Sequence, residues 1–258
     1  MLEKARTLPC DVVVLDLEDS VAPGAKKAAR EAVCAAVKTF GAREVAVRIN
    51  ALSTPWGQAD ITALQSAAPD AVLLPKVERA ADISPISGPI PVWAMIETPL
   101  GVLNVADIAA SGAALLAMGS NDLLKSMQAQ SLADRRNLWA ALSQTVMAAR
   151  AHGLSVIDGT FNEIADDAGF LQSCLQGRAF GFDGKTLIHP GQIDACNAIF
   201  TPPPEEVGRA RAIIAAFERP ENATRGAIQI DGQMVERLHA DMARRTIAMA
   251  DAIAAMGT

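Results

Sequence analysis

Val12-Val13-Val14-Leu15-Asp16-Leu17-Glu18-Asp19 is the stretch that decides the fold. Four aliphatic residues in succession are apolar on whichever face they turn, so 12–17 reads as a strand buried on both sides. It ends in acids: Asp16 and Glu18 share a face by strand parity, and Asp19 follows. Similar aliphatic runs recur at 44–49, 71–75, 92–96, 114–118, 154–157 and 179–182, separated by helical patterns at 26–40, 59–67, 102–110, 132–152 and 164–176. Doubly buried strands alternating with amphipathic helices mean a parallel sheet covered by helices, and seven such units favour a barrel over an open sheet.

The strand ends agree. After Asp16, Glu18 and Asp19 come Arg48 and Asn50, then Lys76, then Glu97, then Ser120, Asn121 and Asp122, then Asp158, and finally Lys185 and His189. Loops favour Asn, Asp and Ser. Arg, Lys and Glu directly after hydrophobic runs are better explained by the C-terminal face of a TIM-type barrel, where active sites lie. Thr98-Pro99 reads as an N-cap followed by proline in the first helical position. Ser120 or Asn121 is the corresponding cap candidate after Met118. Beyond Thr201 the pattern changes: prolines at 202–204, a helix over 205–217, a linker to 225, an extended piece at 226–231 and a last helix over 234–255. The expected organisation is a barrel domain at 1–200 and a helical lid or tail at 201–258.

Composition excludes several classes. The chain has 258 residues, 50% of them hydrophobic, too apolar for a disordered protein. No apolar run approaches the roughly 18 residues of a membrane span. Glu3, Lys4 and Arg6 interrupt any signal-peptide pattern. A cytoplasmic protein without membrane partners is expected. With 23 Lys and Arg against 29 Asp and Glu, 4% aromatics and no Tyr, nucleic-acid binding is not expected. Cys10, Cys34, Cys174 and Cys196 show no zinc or redox spacing and read as reduced, buried thiols. Gly184-Lys185-Thr186 imitates the end of a Walker A loop, but Ala179 stands where its first glycine belongs. No G-x-G-x-x-G follows the first strand, so a dinucleotide fold is not supported. His152 and His239 read as helix-surface residues and His189, before Pro190, as a turn residue.

Four positions carry the chemistry. Glu97 and Asp122, at the ends of consecutive strands, fit a Mg²⁺ site completed by water and substrate; an acid/base pair without metal, or helix capping, fits the spacing equally well. Arg48 is a candidate carboxylate clamp, with an ion pair to Asp16 or Glu18 as the other reading, and both can hold. Lys76 is placed for a Schiff base, yet so many acids nearby favour a charged, paired lysine.

The segments V-L-D-L-E-D-S-V (14–21) with Lys26 and Ala29-Arg30, V-R-I-N (47–50), L-P-K-V-E (74–78), M-I-E-T-P-L-G-V-L-N (95–104), G-S-N-D-L (119–123), I-D-G-T (157–160) and G-F-D-G-K-T-L-I-H-P-G-Q-I (181–193) stand in the order of one family. From about residue 10 onward the chain resembles the citrate lyase beta-subunit-like proteins of the HpcH/HpaI aldolase superfamily. The resemblance implies a TIM (β/α)8-type barrel, trimeric or hexameric. Its activity would be cleavage or formation of a carbon–carbon bond in a citryl, citramalyl or malyl thioester of CoA or an acyl carrier, with a 2-oxo acid as the other product. It implies Glu97 and Asp122 as Mg²⁺ ligands and Arg48 as the residue holding the oxo-acid carboxylate. Glu18, Asp19 and Lys26 match a polar cluster beside the site; Asn50 and Lys76 join them as substrate-binding candidates by position.

Two departures stand out. The family's lid carries a G-x-M-[IV]-D-x-P segment whose Asp, from a neighbouring subunit, does acid/base work; here it reads Gly232-Gln233-Met234-Val235-Glu236-Arg237-Leu238, making Glu236 the candidate catalytic acid. Family members also open with an R-S-x-L-F-x-P-G strand, whereas Met1-Leu2-Glu3-Lys4-Ala5 reads as starting inside the helix that follows it, so the first strand is expected to be missing. Three readings follow: a start lying upstream, another chain filling the gap, or lost catalysis. A Mg²⁺-dependent thioester lyase is therefore weighed against a metal-dependent aldolase of free 4-hydroxy-2-oxo acids and against a non-catalytic thioester-binding relative or complex subunit. Retention of Arg48, Glu97 and Asp122 together favours the enzyme.

Overall fold

The computed structural model describes residues 2–86 and 88–256; Met1, with which the expected opening helix begins, lies outside them. The chain divides into two compact units, Met1–Cys196 and Asn197–Thr258.

The first unit is a seven-stranded parallel sheet in sequential order, each neighbouring pair parallel. Its strands are β1 Val12–Asp16, β2 Glu44–Arg48, β3 Ala71–Leu74, β4 Val92–Ile96, β5 Leu115–Met118, β6 Ser155–Asp158 and β7 Gly184–Lys185. The helices are α1 Leu2–Ala5, α2 Lys26–Ala36, α3 Gly57–Ala67, α4 Pro99–Leu103, α5 Val105–Ala110, α6 Ser120–Ser126, α7 Trp139–Ala151 and α8 Asp167–Phe180; α9 Ile193–Phe200 runs across the boundary at Cys196. Among the described residues β1 and β7 each pair on one side only, and no strand precedes β1. This is the α/β, TIM-type arrangement expected from the repeat.

Strand parity separates two packed layers. Ala46, Ala71, Leu73, Trp93, Met95, Leu115 and Ala117 form one cluster, joined by Val12, Val14 and Ile157; these positions alternate along their strands and fill the inner face. The opposite parity, including Val13, Leu15, Val45, Val47, Leu74, Ile96, Leu116 and Val156, is buried on the other face. Continuing the inner parity to the strand exits brings Asp16, Arg48 and Glu97 to one mouth.

Several boundaries differ from the sequence expectation. The run 179–182 is not a strand: α8 continues to Phe180 and ends at Gly181, whose φ of +97° is a left-handed cap, and the strand follows at Gly184–Lys185. A short apolar run fits a buried helix end as well as a strand. The helix expected at 102–110 is two, α4 and α5, meeting at Asn104, whose side chain donates to the Glu78 carbonyl at 2.9 Å. Neither Ser120 nor Asn121 caps α6; Gly119 holds the N-cap position without a side-chain bond. Thr98 does cap α4, accepting from Gly101 N at 3.0 Å. Cys174 and Cys196 are buried, whereas Cys10 and Cys34 are half-buried; all four are free.

The second unit holds α10 Pro204–Glu218, the antiparallel hairpin β8 Ala227–Ile230 and β9 Gln233–Glu236, and α11 Arg237–Met256. Its core is Ala210, Ile213, Phe217, Ile228, Val235, Ala240 and Ala243. The last helix was expected from 234, but residues 233–236 are strand. Asp231 and Gly232 have φ of +49° and +78°, the left-handed pair that a two-residue hairpin turn demands. No described helix is long and apolar enough to cross a membrane.

Candidate functional site

The site is built on the last rung of the β1–β2 ladder, where Asp16 pairs with Arg48. Arg48 Nε and Nη2 donate to the two Asp16 oxygens at 2.8 and 2.7 Å, a bidentate fork. Asp16 also accepts from the backbone N–H of Glu18 at 2.8 Å and of Ser20 at 3.1 Å. Burial alone would raise the Asp16 carboxyl, but the Arg48 guanidinium outweighs it and holds the group at about 2. Burial likewise works against the Arg48 charge, and Asp16, with Glu18 and Asp19, reverses that and raises it. Arg48 is thus a fixed, permanent cation.

Glu18 links this corner to the next strand. Its Oε2 lies 3.3 Å from Arg48 Nη1 but is buried without a hydrogen bond of good geometry, while Oε1 accepts from Lys76 Nζ at 3.0 Å. Burial raises the Glu18 carboxyl above its ordinary range. Lys76 has the left-handed φ of +53°, an unfavourable backbone for a non-glycine residue, which directs its N–H onto Glu97 Oε1 at 2.8 Å. Desolvation opposes the Lys76 charge, but Glu18, Glu97 and Asp19 prevail and raise its pKa. Lys76 is accordingly a paired ammonium, as its acidic surroundings indicated, and not an amine ready for a carbonyl.

Glu97 is 2% exposed. Burial, helped by the nearby charges of Glu18 and Asp122, pushes its carboxyl up to about 7 against the opposing bond from Lys76 N. Gly119 makes room for it: a Cβ there would lie 2.5 Å from Glu97 Oε2. Asp122, in the first turn of α6, is half-buried. A buried carboxyl with raised proton affinity beside a second carboxylate is a donor set suited to a hard dication. Among the described residues no group of three or more His, Cys, Asp or Glu forms a metal cluster. The Ser120 hydroxyl beside them is also buried without a partner.

The structure brings together Asp16, Glu18, Arg48, Lys76, Glu97 and Asp122. Asp19 is exposed at the rim, its charge felt by Arg48 and Lys76. Lys26 is engaged internally: its Nζ donates to the carbonyls of Leu17 and Glu18 at 2.8 and 2.7 Å and sits 5.3 Å from the Trp56 ring centroid. Asn50 is buried and donates to Asp60. Glu236 ends β9 in the second unit, its N–H donating to His239 Nδ1 at 2.9 Å. His189 fills its turn role by accepting from Gly191 N at 3.1 Å.

Sequence reasoning missed one ionic cluster. Arg135 donates to both Asp158 oxygens at 2.8 and 2.9 Å, and Lys185, its side chain fully buried, donates to Asp158 at 2.9 Å. Lys185 therefore serves no phosphate. Burial opposes the Asp158 charge, but Lys185 and Arg135 lower its pKa overall. The cluster ties the exits of β6 and β7 together, and its partners lie in distant segments with no local pattern to betray them.

Residues 1–190 match the family described as HpcH/HpaI aldolase/citrate lyase. A (3S)-malyl-CoA thioesterase of Cereibacter sphaeroides is 45% identical over 260 residues, 98% of this chain and 91% of that protein. The citrate lyase subunit beta of Leuconostoc mesenteroides is 33% identical, covering 98% and 89%. Among solved structures, the protein CitE of Mycobacterium tuberculosis in complex with magnesium, acetoacetate and coenzyme A superposes with a TM-score of 0.81 at 32% identity, covering 96% of this chain and 91% of that one.

Proposed function

The chain belongs to the HpcH/HpaI aldolase/citrate lyase family, and from that premise we propose that it is a Mg²⁺-dependent enzyme acting on a malyl-, citramalyl- or citryl-type CoA thioester. The reaction is cleavage of the carbon–carbon bond between the hydroxyl-bearing carbon and the carbon next to the thioester carbonyl, or its reverse. The observation that carries this is a fixed guanidinium, Arg48, sharing one barrel mouth with the buried Glu97 and with Asp122.

In this reading Glu97 and Asp122 would hold the Mg²⁺, which when bound would supply Lewis acidity to the reacting oxygens. Arg48 anchors the carboxylate; Asp16 and Glu18 keep the guanidinium oriented, so little reorganisation is required when substrate arrives. Lys76, fixed by Glu18, adds positive charge at the mouth. As the carbon–carbon bond breaks, its electron pair passes to the thioester side as an enolate, the hydroxyl carbon becomes the carbonyl of the 2-oxo acid, and the hydroxyl proton passes to water, from which the acid that protonates the enolate is recharged. Glu236, from a neighbouring copy in a trimer or hexamer, is the acid that protonates the enolate carbon. Asp19 adds negative charge at the rim, while Lys26 and Asn50 are engaged by backbone carbonyls and by Asp60. An acyl-carrier thioester presents the same reacting group. A cytoplasmic setting fits CoA chemistry.

A second reading is favoured by the thioesterase at 45% identity: the same binding geometry with water attacking the thioester carbonyl, the C–S bond breaking and the CoA sulfur leaving as thiol. Product analysis on (3S)-malyl-CoA separates the two. Glyoxylate with acetyl-CoA supports carbon–carbon cleavage; malate with free CoA and no glyoxylate supports hydrolysis; no consumption of any malyl, citramalyl or citryl thioester with Mg²⁺ present refutes both.

A further inference from the structure

The Asp16–Arg48 pair stands on the final rung between β1 and β2. Past it, among the described residues, Leu17 N donates to Arg48 O at 2.8 Å and, toward β3, Ile49 N to Leu73 O at 3.2 Å. Strand ends fray when nothing else holds them, and a site built there needs fixing from outside the sheet.

Two residues one turn apart on α2 supply this. Lys26 and Arg30 are at i and i+4, on one face of the helix. Lys26, 6% exposed, grips the β1 exit through the carbonyls of Leu17 and Glu18. Arg30 reaches the β2 exit through Asp60 of α3. Arg30 Nε donates to Asp60 Oδ1 at 2.6 Å, and Asp60 Oδ2 accepts from both the backbone N–H and the side-chain Nδ2 of Asn50, at 3.0 and 2.6 Å. Asp60 is 0% exposed and Asn50 2%.

The chemistry of this chain of contacts is one-directional. A carboxylate salt-bridged to a guanidinium only accepts, so the Asn50 amide must turn its NH₂ toward Asp60, and its orientation is set. Asn50 is two residues past Arg48. Holding its backbone N–H and its side chain at once immobilises the segment that leaves Arg48. Asp60 sits in the first turn of α3, packed where Gly57 leaves room against the Ala51 and Asn50 carbonyls; a Cβ on Gly57 would lie 2.6 Å from Ala51 O. The α3 N-terminus and the β2 exit are thereby locked as one piece.

We propose that Arg30 and Asp60, with Lys26 as their counterpart on β1, are positioning residues that hold the two strand exits carrying Asp16, Glu18 and Arg48. This deepens the proposed function and rests on it for the statement that Arg48 binds the substrate carboxylate. It moves Lys26 and Asn50 from contact with substrate to support of Arg48.

The test is Asp60→Asn, read by amide hydrogen exchange and by steady-state kinetics on the thioester substrate. In Asp60→Asn, exchange across residues 49–56 rises about tenfold or more, while β4 and β5 keep wild-type protection. KM rises about tenfold, the low end of what losing an outer-shell partner costs, and kcat stays within about threefold, because carboxylate anchoring is ground-state binding. Arg30→Gln leaves the Asn50 bonds to Asp60 in place and gives a smaller effect of the same kind; it is measured identically if Asp60→Asn is recovered unfolded. Wild-type exchange at 49–56 in the folded variant overturns the proposal. So does protection lost evenly over all strands, and so does an unchanged KM in an active variant. If the wild-type protein turns over no thioester, the proposed function fails, and the exchange measurement still decides whether the clamp exists.

Discussion

Replacing Asp16 by Asn removes the charge that orients Arg48 while keeping the side chain's size. In the native protein this carboxyl is held at about 2, against an ordinary value of 3.8. At about 1.4 kcal/mol per unit, that depression corresponds to roughly 2 kcal/mol of native stability at neutral pH. The side chain is 19% exposed, so solvent screening trims the figure only modestly. The sign follows from linkage: a depressed carboxylate stabilises the fold above its unfolded value near 4, and the benefit fades as pH falls toward 2. About 1 kcal/mol of it is gone by pH 3. Urea unfolding followed by tryptophan fluorescence is a suitable assay, because Trp56, Trp93 and Trp139 all lie in the first unit. Asp16→Asn is expected to be about 2 kcal/mol less stable than wild type at pH 7, with the gap about halved at pH 3. A gap that is absent at pH 7, or constant between pH 7 and pH 3, refutes the assignment of the Asp16–Arg48 fork as a charge-dependent anchor.

Other perturbations test neighbouring parts. Gly119→Ala places a methyl 2.4 Å from Glu97 Cβ and 2.5 Å from its Oε2; a displacement of that side chain by about 1 Å is expected to lower kcat/KM about a hundredfold and to lower the melting temperature, and an active Gly119→Ala contradicts the placement of Glu97 at the reacting centre. Lys185→Met breaks the buried cluster at Asp158 and is expected to cost about 3–5 kcal/mol, seen as a fall in melting temperature of roughly 10 °C; a change below about 1 kcal/mol shows the cluster to be dispensable. Glu236→Gln is expected to slow turnover while leaving substrate binding intact, measured by kcat and KM on the same thioester; unchanged turnover removes Glu236 from the mechanism. Gly232→Val, at a φ of +78°, is expected to destabilise the β8–β9 hairpin by about 1–2 kcal/mol, read as faster exchange over 227–236; equal exchange rates refute the turn assignment.

The barrel strands were legible because strands buried on both faces write continuous aliphatic runs, and the mouth was legible because each run ends in a group too polar to bury without purpose. Val12 to Asp19 shows both at once. The seventh strand was not legible: with two residues, Gly184 and Lys185, it has no periodicity, and the apolar end of α8 imitated it. The hairpin in the second unit did leave a signal, Asp231-Gly232, which was outweighed by the helical pattern beginning nearby. The supporting ion pairs left none. Arg30 finds Asp60 thirty residues away and Arg135 finds Asp158 twenty-three away, so the partners meet only once the helices have packed on the sheet. The same holds for Lys26, whose match to the family's polar cluster suggested a ligand contact but whose ammonium ends on two backbone carbonyls.

The central claim is that Glu97 and Asp122 form a Mg²⁺ site serving thioester chemistry beside Arg48. Its most direct test is the consumption of (3S)-malyl-CoA by wild-type protein and Glu97→Gln, each with Mg²⁺ and after removal of divalent ions by chelation. Wild type is expected to turn over with Mg²⁺ alone, to lose activity on chelation and to regain it when Mg²⁺ is restored, with no recovery in Glu97→Gln; equal turnover with and without divalent ions, or in Glu97→Gln, refutes the Mg²⁺ site.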